Sequence, residues 1–285
     1  MPDFGVVEIG GTKVDMAVGT SPDDVTPSRI ATTTPEETLG AVIGYFADVE
    51  LAAVGVASFG PLDLDPASPH YGTMTTTPKV GWSGTPILPT LATAIHAPIG
   101  LDTDVNGAAL GEGRWGAAQG MSRFAYMTVG TGIGVGVVVD ETLLTGNTHP
   151  EAGHMIVGRL DGDPYPGNCP FHGDCLEGLA SGPALEARFG ESATWAGDDR
   201  VLGLAADYVA RGLRNLLYAA APERIVVGGG VSKLPGFHER VRYTLGELLA
   251  GYPGEPDLEL LVSRPGLGDL SGLAGALVLA ERALG

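Results

Sequence analysis

The chain has 285 residues, with 34 acidic and 16 basic side chains and a formal net charge of −18. A chain this acidic is repelled by nucleic-acid phosphates and by anionic membrane surfaces, so we expect neither as its partner. Two cysteines exclude a disulfide scaffold. The absence of any run of about eighteen apolar residues predicts a protein without a membrane span, and we expect it in the cytoplasm.

The amino-terminal segment has the pattern of a β-hairpin followed by a helix. Apolar residues at Gly5–Ile9 and Val14–Val18 flank the turn Gly10-Gly-Thr-Lys13, in which two glycines adjoin a threonine. Thr34 is a candidate helix cap, and Pro35 suits the first position of that helix. The sequence therefore predicts strand, glycine turn, strand and helix in this order.

The middle of the chain repeats this hairpin pattern. Phe124–Val129 and Val135–Asp140 resemble strands, and the turn Gly130-Thr-Gly-Ile-Gly134 separates them. A third glycine turn, Gly228-Gly-Gly230, follows another apolar strand. Strands and helices alternate along the chain, which indicates the α/β class, and the repeated hairpin suggests a duplicated unit.

The three glycine turns are candidate phosphate-binding loops. Each follows an apolar strand, so its backbone amides can approach an oxyanion without a Cβ in the way. Any one of these turns alone is explained as an ordinary turn after a strand, without a bound phosphate. Together they favour a bound polyphosphate, and because none matches the dinucleotide or the P-loop pattern, the site belongs to another fold.

The segment Cys169-Pro-Phe-His172-Gly-Asp-Cys175 has the spacing of a metal site. Tetrahedral zinc needs a fourth ligand, for which His149 and His154 are candidates; His154 is preferred because a turn at the preceding Ala-Gly can direct it to the others. Four protein ligands leave no open position, so the predicted zinc is structural. The alternative is a pair of ordinary core cysteines. Histidines without such neighbours are expected at the surface: His70, His96 and His238.

The segment Asp102-Thr-Asp104-Val-Asn106 lies between strand-like residues and a helix predicted from Ala108. A carboxylate at a strand end that faces a cleft can accept a proton from a hydroxyl group. Asp and Asn are also favoured helix caps. The spacing alone does not decide between a base and a cap.

The order and residues of these motifs along the chain resemble those of the ROK family (repressors, open reading frames and kinases), and most closely its bacterial fructokinase branch. The likeness runs from residue 5 to the C-terminal helix. It rests on these segments: Glu8–Lys13, Ser58–Pro61, Thr76–Trp82, Thr103–Glu112, Val129–Gly134, His149–His154, Cys169–Cys175, Leu176–Pro183 and Val227–Val231. The cysteine-histidine segment with the upstream Glu-Ala-Gly-His is its most specific part.

The resemblance implies an α/β two-lobed actin/hexokinase-like fold, built from duplicated ribonuclease-H-like halves that close over ATP and substrate. It implies a small lobe of residues 1–106, completed by the C-terminal helix 268–285. The large lobe, residues 107–267, would carry the zinc loop and nucleotide contacts.

The implied activity is ATP-dependent phosphorylation of a hexose at its primary hydroxyl, with D-fructose giving D-fructose 6-phosphate. The implied cofactors are ATP, Mg²⁺ and structural Zn²⁺, and a homodimer is implied because relatives are commonly dimers. Glucose, mannose and N-acetylhexosamines stay open as substrates. A non-catalytic sugar-sensing protein is the alternative of another class; the repressors of the family carry a helix-turn-helix ahead of the kinase-like part, and we expect none before a hairpin that begins at residue 5.

The resemblance also assigns roles to individual residues, with Asp104 as the base that accepts the proton of the sugar hydroxyl. The implied sugar-binding residues are Gly60, Pro61, Thr103, Glu151, His154 and Glu177. The implied nucleotide-binding residues are Gly10, Gly11, Thr12, Lys13, Gly130, Thr131, Gly132, Gly229 and Gly230. The implied zinc ligands are His154, Cys169, His172 and Cys175.

Two positions depart from the family pattern. Glu8 replaces an Asp that is tied to magnesium in the wider family, and its longer side chain could reach the ion through water. Thr103 replaces an Asn that often precedes the catalytic Asp, so one sugar contact is expected to be altered or lost.

Overall fold

The computed structural model describes residues 3–285, in which strands and helices alternate. The strands are β1 (Asp3–Ile9), β2 (Lys13–Gly19), β3 (Ser28–Ala31), β4 (Leu51–Ser58), β5 (Ile99–Thr103), β6 (Arg123–Val129), β7 (Ile133–Val139), β8 (Thr142–Leu143), β9 (Arg224–Gly228) and β10 (Val262–Ser263). The helices are α1 (Pro35–Phe46), α2 (Ile87–Ala94), α3 (Asp104–Trp115), α4 (Leu176–Ala180), α5 (Gly182–Phe189), α6 (Asp199–Ala220), α7 (Phe237–Leu249), α8 (Leu258–Leu261) and α9 (Ser271–Ala283). None of the helices in this described part is both long and apolar enough to cross a bilayer.

The chain folds into two units. The first is the amino-terminal stretch through Gln119, together with Leu143–His149 and Gly266–Gly285. The second consists of Gly120–Thr142 and Pro150–Pro265.

The first unit contains a five-stranded sheet in the order β3-β2-β1-β4-β5. β1, β2 and β3 are antiparallel neighbours, whereas β4 runs parallel to β1 and β5 runs parallel to β4. Because side chains alternate along a strand, Val7 and Ile9 of β1 join the core under α1 and α2, while Val6 packs with α9. Glu8 therefore shares the face of Val6 and points to the α9 side.

The helices α3 and α9 pack closely in the first unit. A Cβ atom at Gly275 would lie 1.7 Å from the carbonyl oxygen of Gly107, so the two backbones touch at these glycines. This packing explains why residues 107–119 belong to the first unit, although the sequence predicts the lobe boundary at 106/107. The predicted boundary at 106/107 falls inside α3, a helix that packs within the first unit.

The second unit contains a five-stranded sheet in the order β10-β9-β6-β7-β8. β6 and β7 form an antiparallel hairpin, β9 is parallel to β6, and β10 is parallel to β9. Read from β8 to β10, this order repeats that of the first sheet from β3 to β5, and the hairpin and parallel neighbours correspond. The predicted α/β fold with duplicated ribonuclease-H-like halves is confirmed.

His238 is a buried residue of the second unit, and its predicted surface position is wrong. It lies in the first turn of α7, and its Nε2 donates to the carbonyl oxygen of Val227 at 2.9 Å. Burial lowers the pKa of His238, so the ring is neutral at pH 7. No local pattern indicates the burial of His238, because its contact joins α7 to the end of β9.

Candidate functional site

Asp104 is the first residue of α3 and directly follows β5. Its Oδ1 accepts a hydrogen bond from the backbone N–H of Val105 at 2.9 Å. Burial raises the pKa of Asp104 to about 6, although backbone hydrogen bonds oppose the shift. A carboxylate that is ionised at neutral pH but has a raised pKa is suited to accept a proton from a hydroxyl group.

The polar residues next to Asp104 make hydrogen bonds that stabilise the first turn of α3. Thr103 is buried, and its Oγ1 accepts from the N–H of Asn106 at 3.2 Å, so it caps a helix that begins at Asp104 rather than at the predicted Ala108. The Oδ1 of Asp102 accepts from Asn106 Nδ2 at 2.6 Å. The cap uses a lone pair of the Thr103 hydroxyl and leaves its proton available, so a sugar contact by Thr103 stays a prediction.

Glu8 lies near Asp104 in the first unit. Burial raises the pKa of Glu8 to about 7, an effect that Lys13 opposes and that the negative charge of Asp104 reinforces. The Oε2 atom of Glu8 is buried and has no hydrogen-bond partner among residues 3–285. Oxygen ligands and water are what Mg²⁺ prefers, so this carboxylate fits the neighbourhood of a hydrated magnesium ion.

The first glycine turn is closed by hydrogen bonds within the first unit. The N–H of Gly10 donates to the carbonyl of Lys13 at 2.8 Å, and the Thr32 hydroxyl donates to the carbonyl of Gly10 at 2.7 Å. Lys13 Nζ lies 2.5 Å from Asp15 Oδ2, and Arg29 also binds Asp15. The charge of Lys13 is thus paired within the fold, and its predicted contact with phosphate stays a prediction.

The second and third glycine turns lie side by side in the second unit. A Cβ atom at Gly130 would lie 3.7 Å from the backbone nitrogen of Gly230. Gly229 has a φ of +90°, and a Cβ there would lie 2.5 Å from the carbonyl oxygen of Val129, so only glycine fits. The structure therefore brings Gly130, Thr131 and Gly132 close to Gly229 and Gly230, as one nucleotide-binding surface would require.

Glu177 contacts the second glycine turn. Its predicted role as a sugar ligand does not imply this contact. Its Oε2 accepts from the backbone N–H of Ile133 at 2.9 Å. The turn is held further by Gly182, whose N–H donates to the carbonyl of Gly130 at 2.7 Å. No local pattern could reveal this contact, because it joins two segments far apart in the chain.

Four side chains meet in the second unit with the geometry of a metal site. The ligand atoms of His154, Cys169, His172 and Cys175 all lie within 4.8 Å of one another. His154 Nδ1 lies 3.4 Å from Cys175 Sγ and 3.6 Å from Cys169 Sγ, and His172 Nδ1 lies 3.7 Å from Cys169 Sγ. Zinc bonds of 2.0–2.3 Å in a tetrahedron separate ligands by about 3.6 Å, so the observed spacing fits zinc.

The chemistry of the donors agrees with this spacing. Both cysteines are free thiols. Burial raises the pKa of the Cys175 thiol to about 11, so a cation is needed to hold it as a thiolate at neutral pH. The alternative ligand His149 lies outside the cluster: it belongs to the first unit, where its Nε2 accepts from the N–H of Leu62 at 3.3 Å.

Some of the other predicted sugar-binding residues belong to the first unit and some to the second. Gly60 and Pro61 follow β4 in the first unit, and a Cβ atom at Gly60 would lie 3.6 Å from His149 Nε2. Glu151 and His154 belong to the second unit, where Glu151 Oε2 lies 4.0 Å from His154 Nε2. The carboxylate of Glu151 is thus close to the ring that the metal cluster holds.

Comparison with known proteins gives consistent matches over the whole chain. Residues 4–283 match the sequence model of the ROK family. The chain is 42% identical to the fructokinase of Pediococcus pentosaceus, over 99% of this chain and 98% of that protein. It is 41% identical to the fructokinase of Zymomonas mobilis, over 97% of this chain and 96% of that protein. A ROK family glucokinase from Streptomyces griseus, solved in complex with glucose and AMPPNP, superposes with a TM-score of 0.80 at 26% identity, over 98% of this chain and 99% of that one.

Proposed function

The chain belongs to the ROK family, and we propose that it is a kinase that transfers the γ-phosphoryl group of ATP to the primary hydroxyl of D-fructose. The products are ADP and D-fructose 6-phosphate. The observation that carries the proposal is the carboxylate of Asp104, placed at the junction of β5 and α3 with a pKa that burial raises to about 6.

Asp104 acts as the general base. It accepts the proton of the sugar hydroxyl as the oxygen attacks the γ-phosphorus, a contribution of about 10²–10⁴ in rate. Phosphoryl transfer otherwise depends on placing the two substrates in line and on neutralising charge. The ionised form is the active one, and it predominates at pH 7 because the pKa stays below neutrality.

Backbone groups provide most of the phosphate binding. The chain has 16 Lys and Arg residues against 34 acids, so long-range attraction for an anionic nucleotide is weak. The amides and threonine hydroxyls of the glycine turns, Gly10–Thr12 and Gly130–Gly132, bind phosphate oxygens, and Gly229 and Gly230 lie by the adenosine. Magnesium, when bound with ATP, neutralises phosphate charge. The buried Glu8 carboxylate would lie in its hydration shell.

The metal cluster has a structural role in this scheme. Zinc would be held by His154, Cys169, His172 and Cys175, and it would fix the loop between His154 and the start of α4. Glu151, His154 and Glu177, which lie on or beside that loop, bind sugar hydroxyls. A closed set of four ligands supplies no open position for chemistry.

The choice of fructose rests on likeness to named relatives. Identity to two fructokinases is 41–42% over nearly the full chain, against 26% to the glucokinase of Streptomyces griseus. Glucose, mannose and N-acetylhexosamines are the competing substrates, since all offer a primary hydroxyl to Asp104. A sugar-sensing protein without activity is disfavoured by the presence of this base.

A coupled assay of ADP release across a panel of hexoses tests the proposal. Fructose should give the highest kcat/KM, and glucose, mannose, N-acetylglucosamine and N-acetylmannosamine should give lower values. Asp104→Asn should lower sugar-dependent ADP release by about 10²–10⁴, and Asp48→Asn, at an exposed position, should leave it unchanged. A preference for another hexose would reassign the substrate, and no release with any of them would refute the kinase.

The quaternary state and the compartment follow from the same premise. We propose a homodimer that works in the cytoplasm, where ATP is supplied. Light scattering on a size-exclusion column should give twice the chain mass of 29.1 kDa. A monomer at micromolar concentration would overturn the dimer.

A further inference from the structure

Ile133, the residue that follows Gly132, is contacted at both its backbone N–H and its carbonyl group. Its N–H donates to Glu177 Oε2 at 2.9 Å. On its other side, a Cβ atom at Gly153 would lie 1.6 Å from the carbonyl oxygen of Ile133, so the backbone at Gly153 is in direct contact with it. The turn that precedes Ile133 is therefore fixed by two separate segments of the second unit.

Both of these segments carry ligands of the metal cluster. Gly153 immediately precedes His154, and Glu177 lies in α4, which begins directly after Cys175. The two segments are also joined by a hydrogen bond from the N–H of Leu176 to the carbonyl of Met155, at 2.9 Å. A metal ion that binds His154 and Cys175 thus holds together the two segments that bracket Ile133.

We propose that Glu177 is a positioning residue for the phosphate-binding turn Gly130–Gly134, in addition to its role toward the sugar. The proposal rests on the function proposed above and deepens it. One carboxylate oxygen, Oε2, fixes the turn through Ile133, and the other is left for a sugar hydroxyl. A single side chain would then set the distance between the sugar and the phosphates, and the metal cluster would hold that side chain in place.

The turn is shaped around this carboxylate. A Cβ atom at Gly132 would lie 2.7 Å from Glu177 Oε2, so a larger residue in the turn would displace the oxygen. If Glu177 bound only sugar, its carboxylate would need no such close approach to the glycine turn.

Two substitutions distinguish the effect of the length of the Glu177 side chain from the effect of its negative charge. Glu177→Gln keeps an oxygen at the same distance, which can accept from Ile133, but removes the negative charge. Glu177→Asp keeps the charge, but is one methylene too short to reach. Glu186→Ala in α5 is the matched control, because this carboxylate is exposed.

The experiment measures amide hydrogen exchange of the peptide that contains Ile133, and the affinity for Mg-AMPPNP by calorimetry. Loss of one buried hydrogen bond should speed exchange and weaken nucleotide binding by about tenfold each. We expect both effects in Glu177→Asp, and values within about twofold of the unmodified protein in Glu177→Gln and Glu186→Ala. The KM for fructose should rise in both Glu177 variants.

Comparison of Glu177→Asp with Glu177→Gln, the crossed pair, decides whether Glu177 positions the turn. Equal exchange and equal nucleotide affinity in Glu177→Asp and Glu177→Gln would overturn it, whether both match the unmodified protein or both are impaired. Exchange and nucleotide binding do not require turnover, so they are informative even if no hexose is phosphorylated. Failure of the kinase assay would refute the proposed function, whereas failure of the crossed pair would refute only the role of Glu177.

Discussion

The carboxylate of Glu8 lies directly against Gly272 in the first turn of α9. A Cβ atom at Gly272 would lie 2.2 Å from Cδ of Glu8 and 2.4 Å from its Oε2. The contact follows from the alternation of β1, because Glu8 shares the sheet face that α9 covers. Glycine at this position therefore leaves room for an acid in the interior of the first unit.

Replacing this glycine should destabilise the protein. Gly272→Ala places a methyl group within the Glu8 carboxylate, and overpacking of this kind costs about 1–3 kcal/mol in the free energy of unfolding. Gly203→Ala in α6 is the matched control, because a Cβ there meets nothing within 4 Å. That control should stabilise by about 0.5–1 kcal/mol through helix propensity. Urea denaturation of both variants measures the contrast, and a stabilising Gly272→Ala would contradict the packing.

Glu8 should make the stability of the protein depend on pH. Burial raises its pKa from 4.5 to about 7, so the folded state favours the protonated form, and this contribution is lost as pH rises from 4.5 through 7. Glu8→Gln removes the titration. Measured without magnesium, it should be more stable than the unmodified protein by up to about 3 kcal/mol at pH 8, and should show no such gain below pH 4.5.

The comparison needs a control for general effects of charge. Glu50→Gln removes one negative charge from an exposed position and should shift stability little at either pH. A Glu8→Gln variant whose gain is the same at pH 4 and pH 8 would show that the buried carboxylate does not titrate in this range.

Catalysis should depend on the ionised form of Asp104. Burial raises the pKa of this group to about 6, so kcat/KM should increase with pH through about 6 and level off above it. Asp104→Asn should lower kcat by about 10²–10⁴ and leave nucleotide and sugar affinity within a few fold. Steady-state kinetics from pH 5 to 8, with calorimetry on the variant, test both statements; a kcat near that of the unmodified protein would remove Asp104 from the role of base.

The metal cluster should contain about one zinc ion per chain. His172→Ala removes a ligand, so we expect loss of most of the zinc and a lower melting temperature, because metal binding stabilises the folded state. His96→Ala is the matched control at an exposed position outside the cluster. Elemental analysis of the purified proteins gives the zinc content directly. Unmodified protein prepared without chelators that contains no zinc would refute the assignment.

Several features of the fold and the site could be predicted because they depend on neighbours in the sequence. The hairpins around the glycine turns follow from alternation of apolar residues, and Thr34 caps α1 as predicted, with its side chain accepting from the N–H of Glu37. The cluster that contains Cys169 and Cys175 was visible because three of its ligands occur within one short loop. His154, which follows a nearby turn, lies in this cluster, whereas His149 contacts Leu62.

Other features could not be predicted because they arise from packing between distant segments. The boundary after Gln119 depends on contact between α3 and α9, which are far apart in the chain. The burial of His238 depends on the carbonyl of Val227, and the contact between Glu177 and Ile133 depends on how α4 meets β7. Helix and strand patterns show which residues face a core, but they do not show which partner faces them.

The position of α9 has a consequence for how the chain folds during synthesis. This helix covers one face of the first sheet, yet it is translated after every segment of the second unit. All segments of the second unit have left the ribosome once Pro265 has emerged, whereas β1 and β4 still lack the helix that packs on them. The unit whose synthesis begins first is therefore the last to be complete.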